Sequence, residues 1–308
     1  MRKPRNRGCR MLVLAALLAS SCSNPEKEKV QHLQRGDQYA AEKRDEFAVV
    51  EYASAVQIDP KFGEARFKLA QTYERMGNLR AAYPEYIRAA DASPADRELQ
   101  LKATQVLLLV RRFEDAKARA AAMLAKDPKD VEALLLHANA IASLRDTAGA
   151  IAQIEDALRL SPDNSTAFLN LGTIRRQIGD AKEAEAAYRK AIALAPSSVD
   201  AKLGFASFLW AAGRAAEVEA TIKDILGKEP QNLLANRLLA VLYLATGRPK
   251  EAEQPLKAVV EISKEPAAHF QLADYYVSVG RAKEATDLLT PLAADPKTFA
   301  EAESRLAI

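Results

Sequence analysis

The sequence predicts an all-α solenoid of about eight helix-turn-helix repeats. Three observations predict it. Prolines recur every 34 residues, at Pro60, Pro94, Pro128, Pro162, Pro196 and Pro230. Alanine-rich helical stretches run up to them, as in EAEAAYRKAIALAP over 183–196. Proline cannot continue a helix and biases the residue before it away from helix, so each proline closes one helical stretch before the next begins. The composition agrees: 49% of residues are apolar but only 6% aromatic, the balance of helices packed through small side chains. A periodic array grows by adding units, so 308 residues need not form two separate cores.

The chain opens with a leader. MRKPRNRGCR carries five basic residues and no acid, and MLVLAALLA follows at 11–19. A basic start and a short apolar run make a secretory signal, too short to span a bilayer. The formal charge of +3 belongs to this leader; without residues 1–22 the chain holds 39 basic and 41 acidic residues. The folded part therefore offers no overall excess of positive charge for nucleic acid. The stretch LASSC at 18–22 resembles the lipobox of bacterial lipoproteins, although Ala19 stands where that family usually has leucine. The resemblance implies that Cys22 takes a lipid and becomes residue one of the mature chain. Cys9 leaves with the leader, so no disulfide can form within the mature monomer. Residues 23–28 read as a short tether, although Asn24 can cap a helix that begins at Pro25. Ser23, rather than aspartate, after the cysteine resembles lipoproteins sorted to the outer membrane, in a cell with two membranes.

The array is expected over 29–299. With the recurring proline at place 32, repeats begin at Lys29, Gly63, Arg97, Val131, Ser165, Val199 and Leu233, and an eighth begins near Pro266 after a slip in phase. Place 8 holds Gly36, Ala70, Thr104, Ala138, Gly172, Ala206, Ala240 and Ala273. Place 20 holds Ala48, Ala82, Ala116, Ala150, Ala184, Val218, Ala252 and Ala285. Place 15 is glycine in five repeats, at 77, 179, 213, 247 and 280. This pattern resembles the tetratricopeptide repeat across nearly the whole mature chain. Its departures are the missing tryptophan at place 4, Arg175 at place 11 and Lys264 in place of the seventh proline. Small residues at 8 and 20 let a repeat's two helices approach, and glycine at 15 tolerates the left-handed turn between them. Asp96, Asp130, Asn164, Ser198 and Asn232 are placed to cap the following helices.

No catalytic or metal-binding motif is legible. His32, His137 and His269 fall in different repeats, and HExxH, CxxC, GxSxG and P-loop patterns are missing from the sequence. His137 at place 7 reads as a buried, hydrogen-bonded residue, and acid pairs such as Glu183/Glu185 read as solvated helix faces. The expectation is a protein that is not an enzyme and has no catalytic residue, cofactor, metal or small-molecule substrate. What remains is the face of the first helices, which in a solenoid lines the concave side. Places 5, 9 and 12 share that face. The expected partner groove contains Phe67, Gln71, Leu101, Gln105, Leu135, Asn139, Asn170, Thr173, Arg176 and Trp210. Apolar side chains beside amides and hydroxyls suit an extended peptide or a partner helix, and Trp210, the sole tryptophan, is the best anchor. Place 5 can also be read as part of the core. Asn139 and Asn170 match the asparagines of carboxylate-gripping members of the family, but Leu135, Asp200 and Gly204 replace their basic residues, which argues against that use.

The chain ends on TFAEAESRLAI, read as the start of a ninth repeat over 300–308 in a longer protein. As a whole it resembles the repeat lipoproteins of exopolysaccharide export and PEP-CTERM sorting, and also the pilus-assembly lipoproteins. The expected protein is thus a scaffold for protein partners, exported and lipid-anchored on the periplasmic face of a membrane. Its alternatives are the recognition part of a larger secretion or enzyme machine and a periplasmic carbohydrate-binding module. The second is weakened by the single groove tryptophan.

Overall fold

The computed structural model describes residues 24–306, and they are helical, with no strand among them. Cys22 and the leader lie outside the described residues. The chain divides into two compact bodies, Met1–Leu109 and Val110–Ile308. The first body contains α1 (Pro25–Ala41), α2 (Asp45–Ile58), α3 (Gly63–Arg75), α4 (Leu79–Ala92) and α5 (Arg97–Leu109). The second begins with α6 (Phe113–Lys126), α7 (Val131–Ser143), α8 (Thr147–Leu160), α9 (Ser165–Gln177), α10 (Ala181–Leu194) and α11 (Val199–Ala211). It continues with α12 (Ala215–Lys228), α13 (Leu233–Ala245), α14 (Pro249–Ser263), α15 (Pro266–Ser278), α16 (Ala282–Ala293) and α17 (Phe299–Leu306). From α1 to α16, odd-numbered helices are the first helices of the repeats and even-numbered ones the second.

The predicted starts at Gly63, Arg97, Val131, Ser165, Val199, Leu233 and Pro266 are the first residues of α3, α5, α7, α9, α11, α13 and α15. The reason is local. Asp130, Asn164, Ser198 and Asn232 each accept a hydrogen bond from the amide three residues on, and Asp96 accepts one from Leu99 N at 3.1 Å. These bonds satisfy donors that a helix start leaves open. The five place-15 glycines all have positive φ. Repeats without glycine force the same geometry on Lys43, Arg111 and Arg145, at φ 58, 61 and 73. Lys264, where the proline is missing, ends α14 in the left-handed conformation instead, and Pro266 then opens α15. That two-residue connection is the physical basis of the phase slip. Residues 25–28, read as tether, form the first turn of α1, because Asn24 caps it and Pro25 fits where no amide donor is needed. The stretch read as the beginning of a ninth repeat carries α17.

Every residue at places 8 and 20 is buried. In the hairpins that lie within one body, these small residues meet a larger one at place 24 of the second helix. Tyr52, Tyr86 and Tyr188 occupy that place in the first, second and fifth repeats, and Ile222 and Leu256 in the sixth and seventh. Opposite Tyr52 the chain has Gly36, where a Cβ would lie 2.5 Å from the ring; opposite Tyr188 it has Gly172, at 3.1 Å. Glycine at place 8 thus makes room for the ring in the first and fifth repeats, whereas in the second Ala70 packs beside Tyr86. In the second body, arginine staples join successive repeats. Arg248 Nη1 lies 2.5 Å from Glu219 of the preceding repeat, while its Nε donates to Glu251 and its guanidinium stacks on Tyr243. Arg281 repeats the motif with Glu253, Glu284 and Tyr276, and Arg214 repeats the ion pairs with Glu185 and Glu217.

Candidate protein-docking face

Within each body, some neighbouring first helices leave a slot between them, floored by the second helix of the earlier repeat. In the first body the slot between α3 and α5 has a volume of about 680 Å³. It brings together Phe67, Gln71, Leu101 and Gln105, four of the expected groove residues. Tyr86 fills its floor, donates its hydroxyl to Glu74 and meets Phe67 edge-on at 5.6 Å. Desolvation and that carboxylate push the Tyr86 hydroxyl pKa well up, so it stays a proton donor. Lys102, 3.1 Å from Glu74, closes a small charged network across the slot.

The slots of the sixth and seventh repeats have aliphatic floors. Between α11 and α13, a cavity of about 210 Å³ is lined by Ala206, Ser207, Trp210, Leu238 and Val241, over Val218 and Ile222. Between α13 and α15, a cavity of about 460 Å³ is lined by Val241, Leu244, Gln271 and Tyr275, over Leu256 and Val259. Val241 borders both, so the two slots lie side by side. Trp210 is 44% exposed, Val241 54%, Leu244 43% and Val277 40%. A run of partly exposed large apolar side chains on the first helices of three successive repeats marks an interaction surface more than a scatter of single ones would. Two charged side chains stand at its edge, and one of them, Arg237, keeps its Nε buried without a hydrogen-bond partner. Arg237 reaches Glu265 at 3.3 Å, and Asp274 receives Arg305 at 2.9 Å.

The remaining expected groove residues have mixed fates. Leu135 is buried in a cluster with Leu134, Ala138 and Ile141, so it belongs to the core and leaves the groove. Its neighbours Leu134 and Leu136 are buried too, since α7 is covered on several sides. Thr173 donates to Leu169 O and accepts from the Tyr188 hydroxyl at 3.2 Å, leaving its oxygen little freedom for a ligand. Asn139 is half-buried; Asn170 Nδ2 and Arg176 Nε are buried without a hydrogen-bond partner. Gly204 stands where a carboxylate clamp needs a cation, and a Cβ there would lie 2.8 Å from Leu169 Cδ1. A side chain there would require Leu169 to move aside. His137 is half-buried beside Gln153, and burial holds its pKa below the usual value. Among the described residues, no group of three or more His, Cys, Asp or Glu could hold a metal, and no helix is long and apolar enough to cross a membrane.

Three family models match. One, described as the cytochrome c-type biogenesis protein H TPR domain, covers residues 154–266; two described as tetratricopeptide repeat cover 101–165 and 63–96. With the hairpin geometry, these matches define the chain as a tetratricopeptide-repeat protein, a solenoid of the kind that scaffolds protein contacts. Among solved structures, a thermophilic TPR protein of Thermus thermophilus is similar at 21% identity and TM-score 0.54, over 59% of this chain and 99% of that one. PilW, a type IV pilus biogenesis factor, is similar at 21% identity and TM-score 0.52, over 65% and 94%. Cut9–Hcn1 of the APC/C is similar at 17% identity and TM-score 0.51, over 94% and 57%. At these identities they share the fold. A search of curated proteins finds no match.

Proposed function

We propose that the protein is a non-enzymatic scaffold, tethered by lipid at Cys22 to the extracytoplasmic face of a bacterial membrane. It holds partner proteins for envelope assembly or polysaccharide export. The observation that carries the binding role is the pair of apolar slots between α11, α13 and α15 that share Val241, with Trp210 and Val241 open to solvent. Large aromatic and aliphatic groups displayed in pre-formed cavities are the usual anchors of a protein interface. The basic leader, the apolar run and Cys22 support the tether.

Two experiments test it. Mass spectrometry of the protein purified from its own membranes should find Cys22 acylated at a new amino terminus; an unmodified chain in the soluble fraction refutes the tether. Co-purification from crosslinked cells should recover a defined partner with the native protein and lose it with Val241→Asp. Equal recovery with both refutes the docking face. A second setting, cytochrome c biogenesis, is favoured by the family-model match over 154–266, which contains Trp210 and Val241. Haem staining of c-type cytochromes in a deletion strain decides that reading. Pilus assembly is a further setting that the same architecture accommodates, and twitching motility of that strain tests it.

A further inference from the structure

We infer that the pocket between the second helices α12 and α14 receives a donor-bearing aromatic side chain, a tryptophan or tyrosine set among acidic residues on a partner protein. The inference shares the scaffold role proposed above but uses the opposite side of α13. Leu238 and Val241 of that helix line the apolar slots, whereas Asn236, Leu239 and Tyr243 floor this pocket, whose volume is about 540 Å³. The pocket exists because of what stands at three places of the repeat. In four other repeats the side chain at place 4 of the first helix meets place 23 or 26 of the second. His32 bonds Glu51 at 2.7 Å, Arg66 pairs with Glu85 and Lys202 with Asp224, and Phe168 lies under Lys190, whose Nζ is 5.9 Å from the ring centre. In the seventh repeat place 4 is the short amide Asn236, and places 23 and 26 are Pro255 and Ala258. All three line the pocket, and no such pair closes it.

The lining decides what fits. Leu226, Leu239, Pro255 and Ala258 supply apolar surface, and the fifth repeat shows that a ring beneath a lysine suits the equivalent space. An apolar pocket with a few fixed polar groups is the usual form of a binding site. Two polar groups stand on the floor. Tyr243 spends its hydroxyl on Glu219 at 3.0 Å. Asn236 is buried, and its Nδ2 donates to Pro230 O and Asn232 O, both at 3.0 Å. Those bonds fix the amide and leave Oδ1 as an acceptor without a hydrogen bond inside the chain. A ligand that displaces water from it must bring an N–H or O–H, which an indole or a phenol carries and a phenyl ring does not. Charge follows from the rim. Arg248 holds Glu219 and Glu251, and Lys223 also holds Glu219, so two cations and two carboxylates cancel. Lys250 lines the pocket, is exposed and has no ion pair. It favours carboxylates beside the entering ring and opposes a basic segment.

The test is fluorine NMR of the intact protein with the blocked peptide Glu-Glu-Trp-Glu-Glu, its indole carrying one fluorine. A saturable shift of the fluorine signal is expected. Unlabelled versions with phenylalanine or leucine at the centre should compete about tenfold more weakly than the tryptophan peptide, and so should one with lysines in place of the glutamates. Asn236→Phe places in the pocket the ring that the fifth repeat carries, and should weaken binding about tenfold with far-UV circular dichroism unchanged. Lys250→Glu alters only an exposed rim side chain, so it probes the site without touching the core, and should weaken binding about threefold. Val241→Asp, on the other side of α13, should leave binding as it is. The inference is overturned by no saturable shift, by equal competition from the leucine peptide, or by binding that both Asn236→Phe and Lys250→Glu leave intact. Binding lost with Val241→Asp and kept with Lys250→Glu also overturns it, and assigns the peptide to the apolar slots instead; binding lost with Lys250→Glu and kept with Val241→Asp sustains the pocket whatever becomes of those slots.

Discussion

Replacing Gly36 with alanine asks α1 to place a methyl group against the ring of Tyr52. The added Cβ would lie 2.5 Å from Cε1 and 2.6 Å from Cδ1. Tyr52 cannot swing away cheaply: it is 2% exposed, and its hydroxyl donates to Asp37 at 2.7 Å. On an open helix, glycine to alanine stabilises by about 1 kcal/mol. Overpacking a closed contact costs about 1–3 kcal/mol. The second term wins, so Gly36→Ala should destabilise by about 1 kcal/mol net. The reasoning also predicts rescue. Tyr52→Ile recreates the alanine–isoleucine pairing of Ala206 and Ile222, so the two changes together should cost less than their sum by about 1–2 kcal/mol. Urea unfolding followed by far-UV circular dichroism measures the cycle, and amide exchange in α1 and α2 localises it, since an end repeat can open on its own. If Gly36→Ala stabilises the protein and the cycle shows no coupling, the pairing of places 8 and 24 is wrong.

Other outcomes follow from the same geometry. Gly227 lies in α12 with open space around it, and Gly213 sits in a turn at φ 71. Gly227→Ala should stabilise by about 0.5–1 kcal/mol, whereas Gly213→Ala should destabilise by about 1 kcal/mol, both read from denaturant midpoints. Arg248→Ala removes a main partner of Glu219, whose carboxyl is held down at about 2 chiefly by Arg248 and then Lys223. Carboxyl titration by NMR should show the Glu219 pKa rising toward its usual range; no movement would disprove the staple. Glu219 and Glu253, both held at about 2, are depressed relative to the unfolded chain. Their stabilisation is therefore complete above pH 4.5 and is lost as pH falls from there toward 2. Melting temperature should decline over that window and the decline should be blunted in Glu219→Gln/Glu253→Gln.

Much of this architecture is legible in the sequence because the signals are local. A cap, a break and a small residue at a crossing act within one turn or one hairpin, and they sit at a fixed period. That is why six helix starts could be placed to the residue and another, at Pro266, near it, while α1 begins four residues before the expected Lys29. The turns at Lys43, Arg111 and Arg145 were not legible, since side chains there adopt a left-handed conformation that their identity does not announce. Nor were the arginine staples, which join residues 28 or 29 positions apart and need the stacking distance to be known. The docking face was legible only in outline. Helical spacing places Leu135 and Phe67 on one face alike, but burial depends on neighbouring helices, and Leu135 turns out to be core. What makes a slot's floor aromatic or aliphatic is place 24, on the other helix of the hairpin, so reading the first helices alone missed it.

The most direct test of the account is site-specific photocrosslinking in living cells, with the reactive side chain at position 244 in the slot or at position 160 in the exposed end of α8. A scaffold that works through the apolar slots gives one discrete adduct from position 244, none from 160, and no adduct when Val241→Asp is added. Adducts from 160 alone, or from 244 undiminished by that charge, would place the interaction elsewhere on the molecule.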